Sequence, residues 1–313
     1  MKIKALILPH FEIGEMYGDA AGEAQLYYEE YLMQSEEYEI PGGYKLYYNK
    51  ENGVALSVTG SGKVNTAACL TAILCDKRFE FDEAYIIGVG CGGGDINYSV
   101  LGDVCLMTSA VDFDLGHTAD IRDLTVEGNT RLWYHDKTYD DVSHKHFNRE
   151  LIDRAYSLTK STKLETTEFT EKFMRENFPG VPTIKRKPRV IRGTVVSGDN
   201  YWKGKHSHEK CQQIVDCYGC AFPFAITEME DVVIADVAAK FSMLDRVIII
   251  RVNVNTDIFK PGETPELLWD TEETYSEKVG QENTETLDIF PVAMENHFRV
   301  GKIIIDAIIE GKI

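Results

Sequence analysis

The chain's 313 residues are 43% hydrophobic and 27% charged, the balance of a soluble globular protein with room for one large α/β domain or two small ones. A formal net charge of −18 repels phosphate backbones, so nucleic acid is not an expected partner, whereas a neutral or cationic small molecule is compatible. There is no run of eighteen apolar residues, so no membrane-spanning helix is expected.

The opening stretch, MKIKALILPHFEIGE, lacks a small-residue cleavage site and turns acidic at once, which argues against a signal peptide. Its KIKALIL reads as a first buried strand, stopped by Pro9. GVALSVTG, Gly53–Gly60, reads as a second strand whose Gly-Ser-Gly end delivers into KVNTAACLTAILCDKRF. There Val64, Ala67, Ala68, Leu70, Ile73 and Leu74 recur at helical spacing. AYIIGVG, Ala84–Gly90, is the third strand and GDVCLMTSAVDFD the fourth. Residues Thr118–Lys187 are more polar and irregular, a covering segment within one domain spanning 1–313. VIRGTVVSGD and DRVIIIRVNVN supply two more strands, with the helix EMEDVVIADVAAKFSML between them. Pro261–Glu285 reads as a long loop, and ENHFRVGKIIIDAIIEG as a C-terminal helix. Strands that are apolar throughout require a sheet covered on both faces, which predicts a three-layer α/β fold. In such sheets ligands sit beyond the carboxyl ends of the strands, where GSGKVN, GVGCGGGD, SGDNYW and VNVNTD all fall.

Seven cysteines, an odd count, fit a reducing cytoplasm. CYGC, Cys217–Cys220, has the spacing of a redox or zinc half-site but no second pair, and an aromatic–glycine turn explains it. His206 and His208 in KGKHSHEK read as a solvated segment. No metal and no cofactor are expected.

The stretch IIGVGCGGGD, Ile86–Asp95, places five glycines within seven residues. A dinucleotide site would need G-x-G-x-x-G opening a helix, yet DINYSVLGDVCL runs into a turn and another strand. A phosphate loop would need Lys-Ser or Lys-Thr after its last glycine, and neither is present. A tight turn with close backbone approach is the remaining local reading. In EMED, Glu228 and Glu230 precede an apolar helix. They suit either a helix N-terminus or a rigid carboxylate that accepts hydrogen bonds from a vicinal diol, with Met229 packed on the sugar's carbon face. Tyr201 and Trp202 end a strand, as buried core aromatics or as a stacking surface for a planar base.

Together, GSGKVNTAACLTAIL, YIIGVGCGGGDINYSVLGDV, VVSGDNYW, ITEMED and VIIIRVNVNTD resemble, in order and spacing, the nucleoside phosphorylase superfamily, which includes nucleosidases. PHFEIGE, TEMED, RVNVN and FRVG narrow the likeness to the purine nucleoside permease family. The resemblance covers most of the chain and is weak over Thr118–Lys187. It implies a three-layer α/β/α nucleoside phosphorylase-like fold with a mixed central sheet, and a homo-oligomer. It implies a purine nucleoside as partner, cleaved at its N-glycosidic bond. Met229 and Glu230 would contact the ribose and Tyr201 the base. Gly60, Gly62, Cys91 and the amides around Gly92 would line the phosphate or water site, with Glu15, or else Glu12, beside the nucleophile. Asn255 occupies the position where many members carry the aspartate that assists the departing purine.

Two departures follow. Asn255 can donate a hydrogen bond but no proton, which leaves Asp257 as the candidate acid. Phosphorolytic members carry an arginine where Gly88 stands, because a phosphate dianion suits a guanidinium fork. Lys63, Arg192, Arg251 and a cation from a neighbouring subunit are the candidate replacements. The missing fork favours hydrolysis over phosphorolysis, with phosphate possible as co-substrate. A non-catalytic nucleoside-binding protein for uptake or sensing is the alternative from another class.

Overall fold

The uninterrupted apolar runs pair into a ten-stranded mixed sheet among the described residues of the computed structural model, which are 1–123, 125, 133–264 and 284–313. The strands are β1 (Ala5–Leu8), β2 (Glu36–Ile40), β3 (Tyr44–Asn49), β4 (Val54–Leu56), β5 (Tyr85–Gly94) and β6 (Val104–Asp112). They continue with β7 (His117–Thr118), β8 (Trp133–Tyr134), β9 (His144–His146), β10 (Val190–Ser197), β11 (Phe224–Glu228) and β12 (Val247–Thr256). The main order is β11-β10-β6-β12-β5-β1-β4-β3-β2, with β9 on β6 and with β7 and β8 forming a separate pair. Contacts of β5 with β1 and β12 are parallel, whereas β12 meets β6 antiparallel.

The helices are α1 (Gln25–Tyr31), α2 (Lys63–Leu74), α3 (Asp140–Ser143), α4 (Arg149–Thr159), α5 (Glu168–Asn177), α6 (Lys205–Cys217), α7 (Asp231–Lys240) and α8 (Thr284–Ile309). One group gathers α1, α4 and α5 around α8; a second sets α2 and α3 against α7. The result is a three-layer α/β/α nucleoside phosphorylase-like fold with a mixed sheet. Strands buried on both faces, such as Val247–Val254, supply its core.

The glycine-rich stretch is strand, not turn. β5 runs through Gly94, and its last residues pair on one side with β12 and on the other with β11, as in Asn255↔Gly93 and Ile226↔Gly94. A side chain would block this closure: a Cβ at Gly92 would stand 2.5 Å from the Thr227 carbonyl oxygen. The stretch therefore brings the ends of β11 and β12 together over one edge.

Within the segment expected to be irregular, α4 and α5 are amphipathic helices that bury Leu151, Ile152, Phe173 and Met174. KGKHSHEK is not a solvated loop; it begins α6, and His208 is turned inward. The C-terminal helix starts at Thr284, eleven residues before the predicted Glu295. Most of the predicted loop Pro261–Glu285 lies outside the described residues.

Candidate active site

Where β5, β11 and β12 converge, a cavity of about 300 Å³ opens between them, the β1 exit and α8. Its floor is charged. Arg251, on β12 opposite Gly90, is fully buried and reaches Glu228 at 2.9 Å, Glu230 at 3.3 Å and Asp231 at 2.6 Å. Its Nη1 donates to the Cys91 carbonyl at 3.1 Å and lies 4.0 Å from Glu23. Gly90 makes this possible, because a Cβ there would meet Arg251 Nη1 at 2.5 Å and Glu23 Oε1 at 2.6 Å.

Glu228, Glu230 and Glu23 are each held by backbone amides, and Asp231 by Arg251. Glu228 caps α7: its Oε2 accepts from the amides of Glu230 (2.5 Å) and Asp231 (2.9 Å), while Ser197 Oγ donates to its Oε1. Glu230 Oε1 accepts from the Gly62 amide at 2.9 Å, which the positive φ of Gly62 presents. Glu23 accepts from the amides of His10 and Cys91, each at 2.8 Å. Thus EMED divides its labour: Glu228 closes the helix end, and Glu230 lines the cavity.

Four buried carboxyl groups around one guanidinium cannot all ionise freely. Burial raises the pKa of Glu23, Glu230 and Asp231, with Arg251 opposing; the Glu228 charge lifts Glu230 and Asp231 further. Burial also holds His10 neutral, with Arg251 adding to the effect.

The cavity's other end is apolar and aromatic: Phe11, Tyr201, Trp202, Val254 and Phe290 line it. Trp202 stacks on Phe113 with ring centroids 5.5 Å apart and planes at 12°, and its buried Nε1 has no partner among the described residues. Asn255 Nδ2 donates to Tyr201 Oη at 3.2 Å.

Of the residues expected from sequence, Cys91, Gly92, Tyr201, Met229, Glu230 and Asn255 line this one cavity. Gly60 and Gly62 form the adjoining bend, whose Ser61 lines it. Three expected residues lie elsewhere. Glu15 is exposed, its amide tied to Asp19, and it does not reach the lining. Glu12 accepts from the amides of Ile13, Gly22, Ala24 and Gln25, which pins the loop before α1. Instead, Glu23 supplies the carboxylate beneath the cavity. Sequence gave it no signal, because a glutamate just before a helix reads as an ordinary N-terminal acid. Glu12→Ala is expected to lower stability by about 1–2 kcal/mol, on the scale of a lost helix cap. Glu15→Ala should stay within about 0.5 kcal/mol, both read by urea denaturation.

Asp257 is the third residue outside the lining. β12 ends at Thr256, and Asp257 turns away to accept from His208 Nδ1 at 2.6 Å, beside buried Asp95. Among the described residues, Asp95, His208 and Asp257 are the cluster whose donor atoms could hold a metal ion. They already satisfy one another as a hydrogen-bonded ion pair, with Gln212 on Asp95 at 3.1 Å.

The candidate phosphate cations are also resolved. Gly88 faces Ile249 and Ile234, which fill the space a side chain would need. Lys63 Nζ is spent on Asp112 (3.0 Å) and Asp114 (2.7 Å). Arg192 pairs with Asp153 and stacks on Tyr156 and Phe222. Arg251 is the one Lys or Arg among the described lining residues.

A family model described as "Purine nucleoside permease (NUP)" matches residues 2–312. A probable purine nucleoside permease of Schizosaccharomyces pombe is 23% identical over 178 residues, 52% of this chain and 51% of that one. A purine nucleoside permease of Candida albicans is 25% identical over 162 residues, 47% of this chain and 38% of that one. The chain spans about half the length, or less, of these curated relatives. Among solved structures, a 5′-methylthioadenosine/S-adenosylhomocysteine nucleosidase from Neisseria meningitidis, in complex with methylthio-immucillin-A, aligns with TM-score 0.57 and 16% identity. That alignment covers 97% of this chain and 98% of the other. The futalosine hydrolase of Helicobacter pylori gives TM-score 0.57 at 13% identity, covering 97% of each. At these identities the likeness is one of fold. No helix among the described residues is long and apolar enough to cross a membrane.

Proposed function

Since the chain belongs to the purine nucleoside permease family, we propose that it binds purine nucleosides and hydrolyses their N-glycosidic bond. The observation that carries this reading is the cavity floor: one guanidinium, committed to Glu228, Glu230, Asp231 and the Cys91 carbonyl, surrounded by acids. A phosphate dianion would enter that floor against several carboxyl groups and with no free fork to receive it. Water enters without that penalty. The solved neighbours, nucleosidases with the same fold, support the same class of reaction.

In this mechanism the ribose lies over the floor, with Met229 on its carbon face and ionised Glu230 accepting from its hydroxyls. The purine occupies the aromatic end between Tyr201, Trp202, Phe11 and Phe290. A water on the floor attacks the anomeric carbon. Its lone pair forms the new C–O bond as the C–N pair leaves with the base, and its proton passes to Glu23. The base regains a proton from solvent, so the products are free purine and ribose. Asn255 hydrogen-bonds the departing base without protonating it, so the charge must be stabilised by preorganised donors.

The withdrawal of Asp257 favours a second reading, a nucleoside-binding protein without turnover. Incubation with inosine, adenosine or guanosine separates the two. Free purine accumulating in phosphate-free buffer is the expected result; saturable binding with no base released sinks the enzyme reading.

A further inference from the structure

Resting on the hydrolytic reading above, we propose that His10 positions the attacking water as the second acceptor beside Glu23. His10 follows β1 through Pro9 and is 98% buried, being 2% exposed. His10 lines the cavity, and its buried Nε2 has no hydrogen-bond partner among the described residues.

We assign the tautomer from the neighbours. Thr59 Oγ1 lies 2.9 Å from the Gly60 carbonyl and 3.1 Å from Thr66 Oγ1, and its single proton is taken to go to one of these two acceptors. Its oxygen, 2.7 Å from His10 Nδ1, therefore accepts from Nδ1–H. That leaves Nε2 as a bare lone pair. Burial keeps the ring neutral, so the lone pair persists at working pH. A buried, unpaired acceptor is costly unless a bound molecule supplies a donor.

Glu23 and His10 are built as one unit. The His10 amide donates to Glu23 Oε2 at 2.8 Å, so the backbone of one fixes the carboxylate of the other. A nucleophilic water must direct a lone pair at the anomeric carbon, so its two hydrogens need two acceptors on the opposite side. Glu23 and His10 Nε2 supply those two acceptors from a single loop exit. Met229 and Glu230 approach from the link between β11 and α7 and are left for the sugar. The proton moves to Glu23 in the reaction; His10 only accepts a hydrogen bond. A phosphate dianion carries a single hydroxyl hydrogen and so can satisfy only one of these two acceptors, whereas water satisfies both.

Two amide variants test this in the intact chain. His10→Asn puts an amide where Nδ1 stands and can keep the Thr59 bond, but places no atom at Nε2. His10→Gln restores an oxygen near Nε2. For inosine hydrolysis, His10→Asn is expected to lower kcat about 100-fold with KM within about threefold, as a lost positioning contact does. His10→Gln should recover at least about tenfold of that loss. If His10→Asn keeps kcat within about threefold of the parent, or raises KM with kcat unchanged, the proposal is overturned. An equal loss in both variants also overturns it. If His10→Asn does not fold, the comparison of parent with His10→Gln decides: a kcat loss below about tenfold with KM unchanged supports the role, and any larger loss overturns it. The parent's own turnover reports separately on the hydrolytic reading, since a parent that releases no base removes both.

Discussion

Arg251→Met is expected to cost about 3–5 kcal/mol of folding stability, read as a shift of the urea midpoint at pH 7.5. The side chain is fully buried and is the cation toward which Glu228, Glu230, Asp231 and Glu23 all turn. Methionine fills much of the volume, so packing alone would cost little. The penalty comes from like charges left facing one another without their counter-ion. This gives a sign that packing loss would not share. Without Arg251 the folded-state carboxyl pKa values rise further above their unfolded values, so the folded state binds more protons than the unfolded one. Stability is then retained below the unfolded carboxyl pKa and lost as pH rises through the folded one. The deficit of Arg251→Met should accordingly shrink at pH 5 relative to pH 7.5. A deficit independent of pH would show that the guanidinium matters here only as bulk.

The second large effect is on recognition. Glu230→Gln should lower kcat/KM for a purine nucleoside about 10³-fold, since two charge-assisted hydrogen bonds to a diol are worth about 2 kcal/mol each. Stability should not fall with it, because the change removes one acid from an overcrowded floor. The wild-type protein carries a related pH signature. Burial and Glu228 raise the Glu230 pKa against the pull of Arg251, so the ionised, diol-accepting form grows in as pH increases. KM should therefore fall as pH rises through that raised value and level off above it. A KM that worsens over the same range would place ribose recognition on another group.

The strands were legible because apolar runs with glycine ends carry their own signal, and strand ends mark the ligand edge without further help. The strand ends pointed to the edge, and the family resemblance is what named Tyr201, Met229, Glu230, Asn255 and Cys91, which meet at one cavity. The glycine stretch misled as a turn because its pairing partners, β11 and β12, lie more than a hundred residues away in sequence. Nothing local shows that two strands close on it. Asp257 misled for a related reason: β12 slips register between Asn253 and Asn255 and then ends, so parity with Asn255 no longer fixes where Asp257 points. Glu23 and His10 were missed because burial, not residue type, selects them. Glu12, Glu15 and Glu23 look alike in sequence, and only the folded loop shows Glu12 tying down amides, Glu15 in solvent and Glu23 on the floor.

The most direct test is the identity of the sugar product when phosphate is abundant. With inosine and millimolar phosphate, phosphorus NMR and a reducing-sugar assay should show ribose equal to hypoxanthine and no ribose 1-phosphate, at a rate phosphate does not increase. Ribose 1-phosphate formed in step with the base would contradict the account, because it would mean that the acid-lined floor around Arg251 accepts the anion it is argued to exclude.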